Sequence, residues 1–307
     1  MKNYITWIFC TCLMISVASA TTPLYEIDKS FKGKSIDNVI YMAVLPNDYL
    51  CALRNKQVMI IDKTGKKHSS FEVKMEGTLS SIATDPKGNI IVLSTKVEQK
   101  ERTIRGKVRT YTVPVGVVCR VFNYKGKKIR DIEIPEAKSA KAARVVGERL
   151  IIADGGRRSI LFVNYKSGKV EKVIKDGLRL CCGIFDFCIG PKNSIMLANL
   201  GAFKVQNFSS NGQPSKSYGK RGKGLNDFHG CCNPVSVAYL PNGCVVTAEK
   251  SPTRVKVYSK GMKQAYAIKG IDELVKGCNH IPMIVDSKGN VYLASRLKGI
   301  IKCTVSK

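Results

Sequence analysis

A short apolar strand, a tight turn with Pro or Asp ahead of Gly, and a second short strand recur along the whole of this chain. The unit reads clearly as Ser81-Ile82-Ala83-Thr84-Asp85-Pro86-Lys87-Gly88-Asn89-Ile90-Ile91-Val92-Leu93. It returns as Val235-Ser236-Val237-Ala238-Tyr239-Leu240-Pro241-Asn242-Gly243-Cys244-Val245-Val246 and as Met283-Ile284-Val285-Asp286-Ser287-Lys288-Gly289-Asn290-Val291-Tyr292-Leu293. Weaker copies centre on Leu45-Pro46-Asn47-Asp48, Val146-Gly147-Glu148-Arg149 and Gly190-Pro191-Lys192-Asn193. Gly and Asn supply the left-handed backbone that hairpins need. The flanking β-branched runs are too short for helices. A third strand follows each pair, at residues 58–61, 119–123, 160–163, 203–208, 255–258 and 299–304.

Six such units stand roughly 40 to 60 residues apart, close to the period of propeller blades. None buries both sheet faces alone, whereas radial stacking supplies the missing core and leaves only short outer edges. The predicted fold is therefore all-β, a six-bladed β-propeller formed as one domain over residues 21–307. The chain ends after the last unit's third strand, and Leu24-Tyr25-Glu26-Ile27 is placed to serve as its fourth, closing the ring with N-terminal residues. Two stacked β domains and a seven-bladed ring are the competing architectures. Blade two carries an insertion at about residues 95–115, whose second half alternates like a strand and whose basic residues are Lys96, Lys100, Arg102, Arg105, Lys107 and Arg109. It is expected to project as a basic hairpin and to serve as an interaction surface, since insertions in repeat folds gather on one face.

Lys2, an apolar run over residues 5–17 and then Ala18-Ser19-Ala20 follow the order of a signal peptide cleaved after Ala20. That run is short for a membrane span, and no other segment approaches one, so the mature protein is expected in the periplasm or another extracytoplasmic compartment. The formal net charge is +28, falling by one to +27 when Lys2 is removed. An excess of this size draws anionic partners. Basic residues are spread through turns such as Lys63-Thr64-Gly65-Lys66-Lys67 and are not gathered in one tail. A solvated basic surface and docking to an acidic extracytoplasmic protein or assembly both account for it. Nucleic acid is disfavoured, because aromatics and basic residues form no stacking series and export removes the chain from most nucleic acid.

The chain resembles the NHL-repeat family of β-propellers. The resemblance rests on Asn233-Pro234-Val235-Ser236-Val237-Ala238 with Asn242-Gly243, and on Leu150-Ile151-Ile152-Ala153-Asp154-Gly155-Gly156-Arg157-Arg158-Ser159-Ile160. These look like that family's leading Pro, Gly turn, Ala/Asp at the end of strand two and Arg before strand three. The run from Phe228-His229-Gly230-Cys231-Cys232-Asn233-Pro234 to Tyr258 is similar to a signature of exported bacterial propellers. The resemblance implies the fold and, since members mostly bind proteins, peptides or RNA and some are enzymes, a binding role more than an activity. Blades one, three and four depart from the pattern.

Cys182 and Cys232 each close a Cys-Cys doublet nine residues before Pro191 and Pro241, and Cys278 stands nine residues before Ser287. On a propeller this register puts Cys181, Cys182, Cys231, Cys232 and Cys278 on one arc at the channel mouth, with His229 and His280 beside it. Twelve cysteines occur in the chain, and Cys10 and Cys12 fall in the leader. Ten remain, in a compartment that permits disulfides. Three readings stay open: inter-blade disulfides or small packed thiols, Cys188 and Cys244 fitting most easily; a zinc, copper or iron-sulfur centre with His229 or His280 as added ligands; and thiol-disulfide chemistry. Against a metal, no CxxC occurs and adjacent cysteines rarely serve one ion together. No cofactor is expected on the first reading. No G-x-S-x-G, H-E-x-x-H, P-loop or dinucleotide fingerprint is present. Glu249 with Lys250 and Arg254, and Asp154 with Arg157 and Arg158, read as blade-bracing ionic groups.

Overall fold

The computed structural model describes residues 22–104, 106–275, 277, 279–295 and 298–306. The leader, Arg105 and Cys278 lie outside the described residues. The strands form six four-stranded antiparallel sheets, each a simple meander. Blade one is Val39–Val44, Leu50–Arg54, Gln57–Ile61 and Lys67–Glu72. Blade two is Thr78–Thr84, Ile90–Ile104, Lys107–Phe122 and Lys128–Ile134. Blade three is Ala140–Val146, Arg149–Asp154, Ser159–Asn164 and Val170–Ile174. Blade four is Asp186–Ile189, Ile195–Asn199, Lys204–Phe208 and Pro214–Tyr218. Blade five is Ser236–Tyr239, Val245–Glu249, Arg254–Tyr258 and Ala265–Ala267.

Blade six is Met283–Val285, Val291–Ser295 and Gly299–Val305, completed by Tyr25–Ile27 from the N-terminal side. Tyr25 pairs with Val305 and Ile27 with Cys303. Each blade's first strand lies against that of the next, and Met283–Val285 returns to Val39–Val44. The ring therefore has six blades and closes where the sequence places the closure. Asp48 adds a second clasp between blades one and six, accepting from the Ser287 amide at 3.0 Å and its hydroxyl at 2.8 Å.

The six turns between first and second strands sit at the positions read from the sequence. Gly88, Gly243 and Gly289 take φ of 81°, 89° and 84° and donate back to Asp85, Leu240 and Asp286 carbonyls. Blade one places Asp48 at φ 64° and blade four Asn193 at φ 58° in the same role, which is why their copies of the motif look weak.

The inner strands of each blade are mostly apolar on both faces because each sheet packs between two neighbours, while outermost strands such as Lys67–Glu72 and Pro214–Tyr218 are largely exposed. One core cluster runs through blades one to four, including Tyr41, Leu53, Val92, Ile151 and Phe187. Another joins blades five and six through Val246, Val257, Val291 and Leu293. A polar residue interrupts this pattern about five residues into every second strand and binds the segment leading into that blade's first strand. Arg54 reaches Asp37 at 2.5 Å, and Ser94 donates to the Glu76 carbonyl at 2.5 Å. Asp154 accepts from the Lys138 and Ser139 amides at 2.9 and 2.8 Å. Asn199 bridges Arg179 N and Gly177 O, and Ser295 donates to Leu274 O. Glu249 accepts from His229 N at 2.9 Å and Arg254 at 2.7 Å and forms an ion pair with Lys256 at 2.8 Å. Glu249 thus braces its blade with Arg254 as expected, while Asp154 does so through backbone amides, that of Arg157 among them at 3.3 Å, and among the described ion pairs not through the Arg157 or Arg158 guanidinium.

Lys256 is fully buried, and burial pulls its pKa down to about 8 against the opposing pull of Glu249. Glu249→Gln is expected to cost about 3–5 kcal/mol in denaturant unfolding, because it leaves a buried cation uncompensated. Ser94→Ala, which removes one neutral hydrogen bond, should cost about 1 kcal/mol. Equal losses would contradict the ionic account of blade five.

Candidate functional site

The chain enters blades four and five through the two cysteine doublets, and the structure brings them together. Cys181 Sγ lies 3.4 Å from Cys182 Sγ, Cys182 Sγ 3.3 Å from Cys232 Sγ, and Cys231 Sγ 3.3 Å from Cys232 Sγ. A disulfide requires about 2.05 Å, and all nine described cysteines are free thiols. The expected disulfide staples, including any from Cys188 or Cys244, are therefore not present among the described residues. Cys51, Cys119, Cys188 and Cys303 are buried within the sheets and Cys244 in the turn before Val245–Glu249, where they pack as small apolar side chains.

Cys232 is buried, while Cys182 and Cys231 are exposed. The next residue, Asn233, has no exposed surface and fixes this corner. Its side-chain amide donates to the His229 carbonyl and, at 2.8 Å, to the Lys250 carbonyl, and its oxygen accepts from Lys250 N at 2.8 Å. Lys250, itself buried, is hydrogen-bonded to Cys182. Hydrogen bonds from Cys232, Cys181 and Lys250 draw the Cys182 thiol down to about 7, whereas burial pushes the Cys232 thiol upward. Among the described residues, the sulfurs of Cys181, Cys182 and Cys232 are the one group of three ligand-type atoms within 4.8 Å of one another. His229 and His280 do not belong to it.

His280 belongs to a second group, on the propeller axis. Its Nε2 lies 3.0 Å from Ser236 Oγ and 3.5 Å from Asp186 Oδ2. Asp186 is fully buried and its Oδ1 accepts from Tyr41 OH. Arg144 spans the same atoms, with Nη2 3.2 Å from Tyr41 OH and 3.5 Å from Asp186 Oδ1. Tyr41 also stacks on the His280 ring at 5.6 Å. Blades one, three, four and five and the segment leading into blade six each contribute one side chain. Burial alone would raise the Asp186 carboxyl, yet His280, Arg144 and Tyr41 hold it below its ordinary range. Burial pushes Tyr41 well above its own.

Two axial cavities border this cluster. Arg144 lines one of about 270 Å³ formed by all six innermost strands, and His280, with Asn38, Asn55, Asn279 and Ser295, lines one of about 480 Å³ at the mouth. Ser236, His280 and Asp186 are the residue types of a nucleophilic triad, but a relay needs the serine and the carboxylate on opposite ring nitrogens. Here both approach Nε2, and Ser236 Oγ donates to the Ile281 carbonyl at 2.7 Å. The cluster is built to tie blades across the axis. Sequence reasoning missed Tyr41, Arg144, Asp186 and Ser236; the available signal was a charge within or opening an otherwise apolar innermost strand.

The blade-two insertion is a two-stranded ribbon paired from Thr95 with Val117 out to Ile104 with Lys107. Its nine residue steps beyond Thr95 extend about 30 Å, and residues 97–104 and 106–112 are exposed. Period-two alternation puts Lys100, Arg102, Lys107 and Arg109 on one face with Tyr111. Lys96 lies at the base and pairs with Glu133 at 3.0 Å.

No protein-family model and no curated protein matches the chain. Solved structures do. A streptogramin B lyase superposes with a TM-score of 0.60 at 10% identity, covering 92% of this chain and 98% of that one. The PQQ-bound aldose sugar dehydrogenase of Streptomyces coelicolor gives 0.57 at 14% identity over 93% and 100% of the two chains. The WD40 domain of Neurospora crassa Pan2 gives 0.56 at 9% identity over 88% and 75%. At such identities the likeness shows the fold, a β-propeller, which enzymes and WD40 domains share.

Asp186→Asn is expected to cost about 3–5 kcal/mol in denaturant unfolding, since it leaves Arg144 without its buried counter-charge. Because the folded Asp186 pKa lies below its unfolded value, its contribution is present above about pH 4 and is lost as pH falls through the folded value. Thermal melts should show a smaller acid-side loss for the Asn variant than for the wild type. Parallel acid profiles would contradict the role assigned to Asp186.

Proposed function

We propose that this protein is an exported, non-catalytic β-propeller that docks an acidic extracytoplasmic protein or assembly through the blade-two ribbon. The observation that carries this reading is the arrangement of the ribbon's charged face. Arg102 stands directly opposite Arg109, and like charges facing each other across a strand pair destabilise it. Lys100 and Lys107 occupy the flanking positions of the same face. A two-stranded ribbon is marginal by itself, so concentrating repulsion there favours a partner that neutralises it. Exposed Tyr111 and Ile104 add apolar contact area on the same face. The chain's formal charge of +28 accelerates approach to any acidic surface and makes the association salt-sensitive.

The axial groups support the same reading from the other side. The polar atoms of Tyr41, Arg144, Asp186, Ser236 and His280 bond chiefly to one another, which suits a rigid hub more than a reaction centre. The propeller then presents the ribbon from a fixed base. NHL-type membership and placement outside the cytoplasm are parts of this proposal.

The test is retention of native-source extracytoplasmic proteins on the immobilised mature protein, alongside a Lys100→Glu/Arg102→Glu/Lys107→Glu/Arg109→Glu variant. An acidic protein should be retained by the wild type and released by raised salt. The variant should bind it at least about 10-fold more weakly, as repulsive charge pairs at an interface do. Its melting behaviour should stay close to wild type, because exposed substitutions shift stability by only about 0.5 kcal/mol each. Equal retention by the folded variant would overturn the assignment, as would retention of nucleic acid in place of protein.

A further inference from the structure

The cysteine doublets do something the fold does not require. In extended chain, neighbouring side chains point to opposite sides, which is the usual reason that adjacent cysteines fail to serve one ion. Cys182 escapes this by adopting φ 55°, followed by Gly183 at φ 67°. The turn is closed by Ile184 N donating to the Cys181 carbonyl at 3.2 Å. Left-handed backbone is uncommon for any residue other than Gly, Asn or Asp, and single strained residues of this kind gather at functional sites. Its result here is that both sulfurs of the first doublet face Cys232 of the second.

We propose that Cys181, Cys182 and Cys232 form a three-thiolate binding site for a thiophilic cation, with Cu(I) as the ion that three sulfurs satisfy. Three thiolates at metal–sulfur distances of about 2.3 Å in a planar arrangement stand about 4 Å apart. The observed separations of 3.3 and 3.4 Å, with all three sulfurs inside 4.8 Å, bracket that value and need only small side-chain rotations. The donor set contains sulfur alone, without carboxylate or imidazole, which selects soft cations over Mg²⁺, Ca²⁺ or Mn²⁺. Structural zinc sites are closed by four ligands, whereas Cu(I) accepts three. Lys250 at Cys182 offsets the excess negative charge that three thiolates place on a monovalent ion. Cys232 and Asn233 supply the rigid wall, and the exposed Cys182 supplies the open side through which the ion enters.

The experiment uses the full mature chain, purified without oxygen and stripped of metal, titrated with Cu(I) against a chromophoric Cu(I) chelator. One equivalent should be withdrawn from the chelator, and X-ray absorption should show three sulfur neighbours. Because Cys182 is exposed, Cys182→Ser keeps the fold, and it should weaken binding by about 100-fold or more, beyond the loss expected from an outer-sphere partner. Cys232→Ser should do the same, and Cys244→Ser, a buried thiol outside the group, should leave binding unchanged. The proposal is overturned if the folded wild type fails to compete with the chelator. It is equally overturned if Cys182→Ser binds as the wild type does, or if the protein isolated without oxygen carries a Cys182–Cys232 disulfide.

Discussion

Six side chains in one structural register hold each blade to the segment that brings the chain into it. Arg54, Ser94, Asp154, Asn199, Glu249 and Ser295 differ in charge, size and hydrogen-bonding sense, yet each captures the stretch preceding its own first strand. In five of the six the partner is a backbone group, and the constraint they share is backbone satisfaction, whereas Arg54 pairs with the Asp37 carboxylate. A propeller buries the start of every innermost strand near the axis, and the peptide groups there need partners as obligatorily as those in the ladders. A polar atom delivered from the adjacent second strand meets that need without breaking the sheet. In blades one, two, four, five and six the capturing residue lies six positions beyond the left-handed turn residue at Asp48, Gly88, Asn193, Gly243 or Gly289, so turn geometry aims the polar group.

The axial cluster solves a different problem. Six sheets meeting edge-on leave space on the axis, and ordinary apolar side chains from short inner strands close it only in part. Arg144 crosses that space to Asp186 and Tyr41, and His280 closes over them. Burying these charges is expensive, and the arrangement offsets the cost by giving the carboxylate several partners at once. The same multiplicity fixes the angular positions of the contributing blades, since each partner comes from a different one. The mouth is thereby kept in a defined shape.

Most of the fold was legible because its signals are local. Turns such as Asp85-Pro86-Lys87-Gly88, the β-branched runs and the closing segment at Tyr25–Ile27 all declare themselves within a dozen residues. The blade-two ribbon was legible as well, from alternation over residues 108–113. The axial cluster was not, because Tyr41, Arg144, Asp186, Ser236 and His280 are spread over most of the chain and share no spacing; only the ring geometry makes them neighbours. For the cysteines, register placed both doublets at the channel mouth. Their approach to within 3.3 Å depended on the backbone at Cys182, which no pattern of residue types announces.

That backbone separates the two cysteine sites of this protein. Cys51, Cys119 and Cys303 are buried in strands, where burial drives their thiols upward and any small apolar residue would fill the volume. The doublets lie between strands, where other groups already hold the ring: Tyr25–Ile27 closes it by backbone pairing with Gly299–Val305, and Asn233 and Glu249 anchor the lead-in to blade five. The turn at Cys182 delivers Ile184 to the core cluster that holds Cys232, and packing leaves two exposed thiols beside a buried cation unaccounted for. Packing accounts for the burial of Ile184 and Cys232 but not for the exposed Cys182 sulfur turned towards Cys232, and that convergence is what a soft, cation-sized site requires.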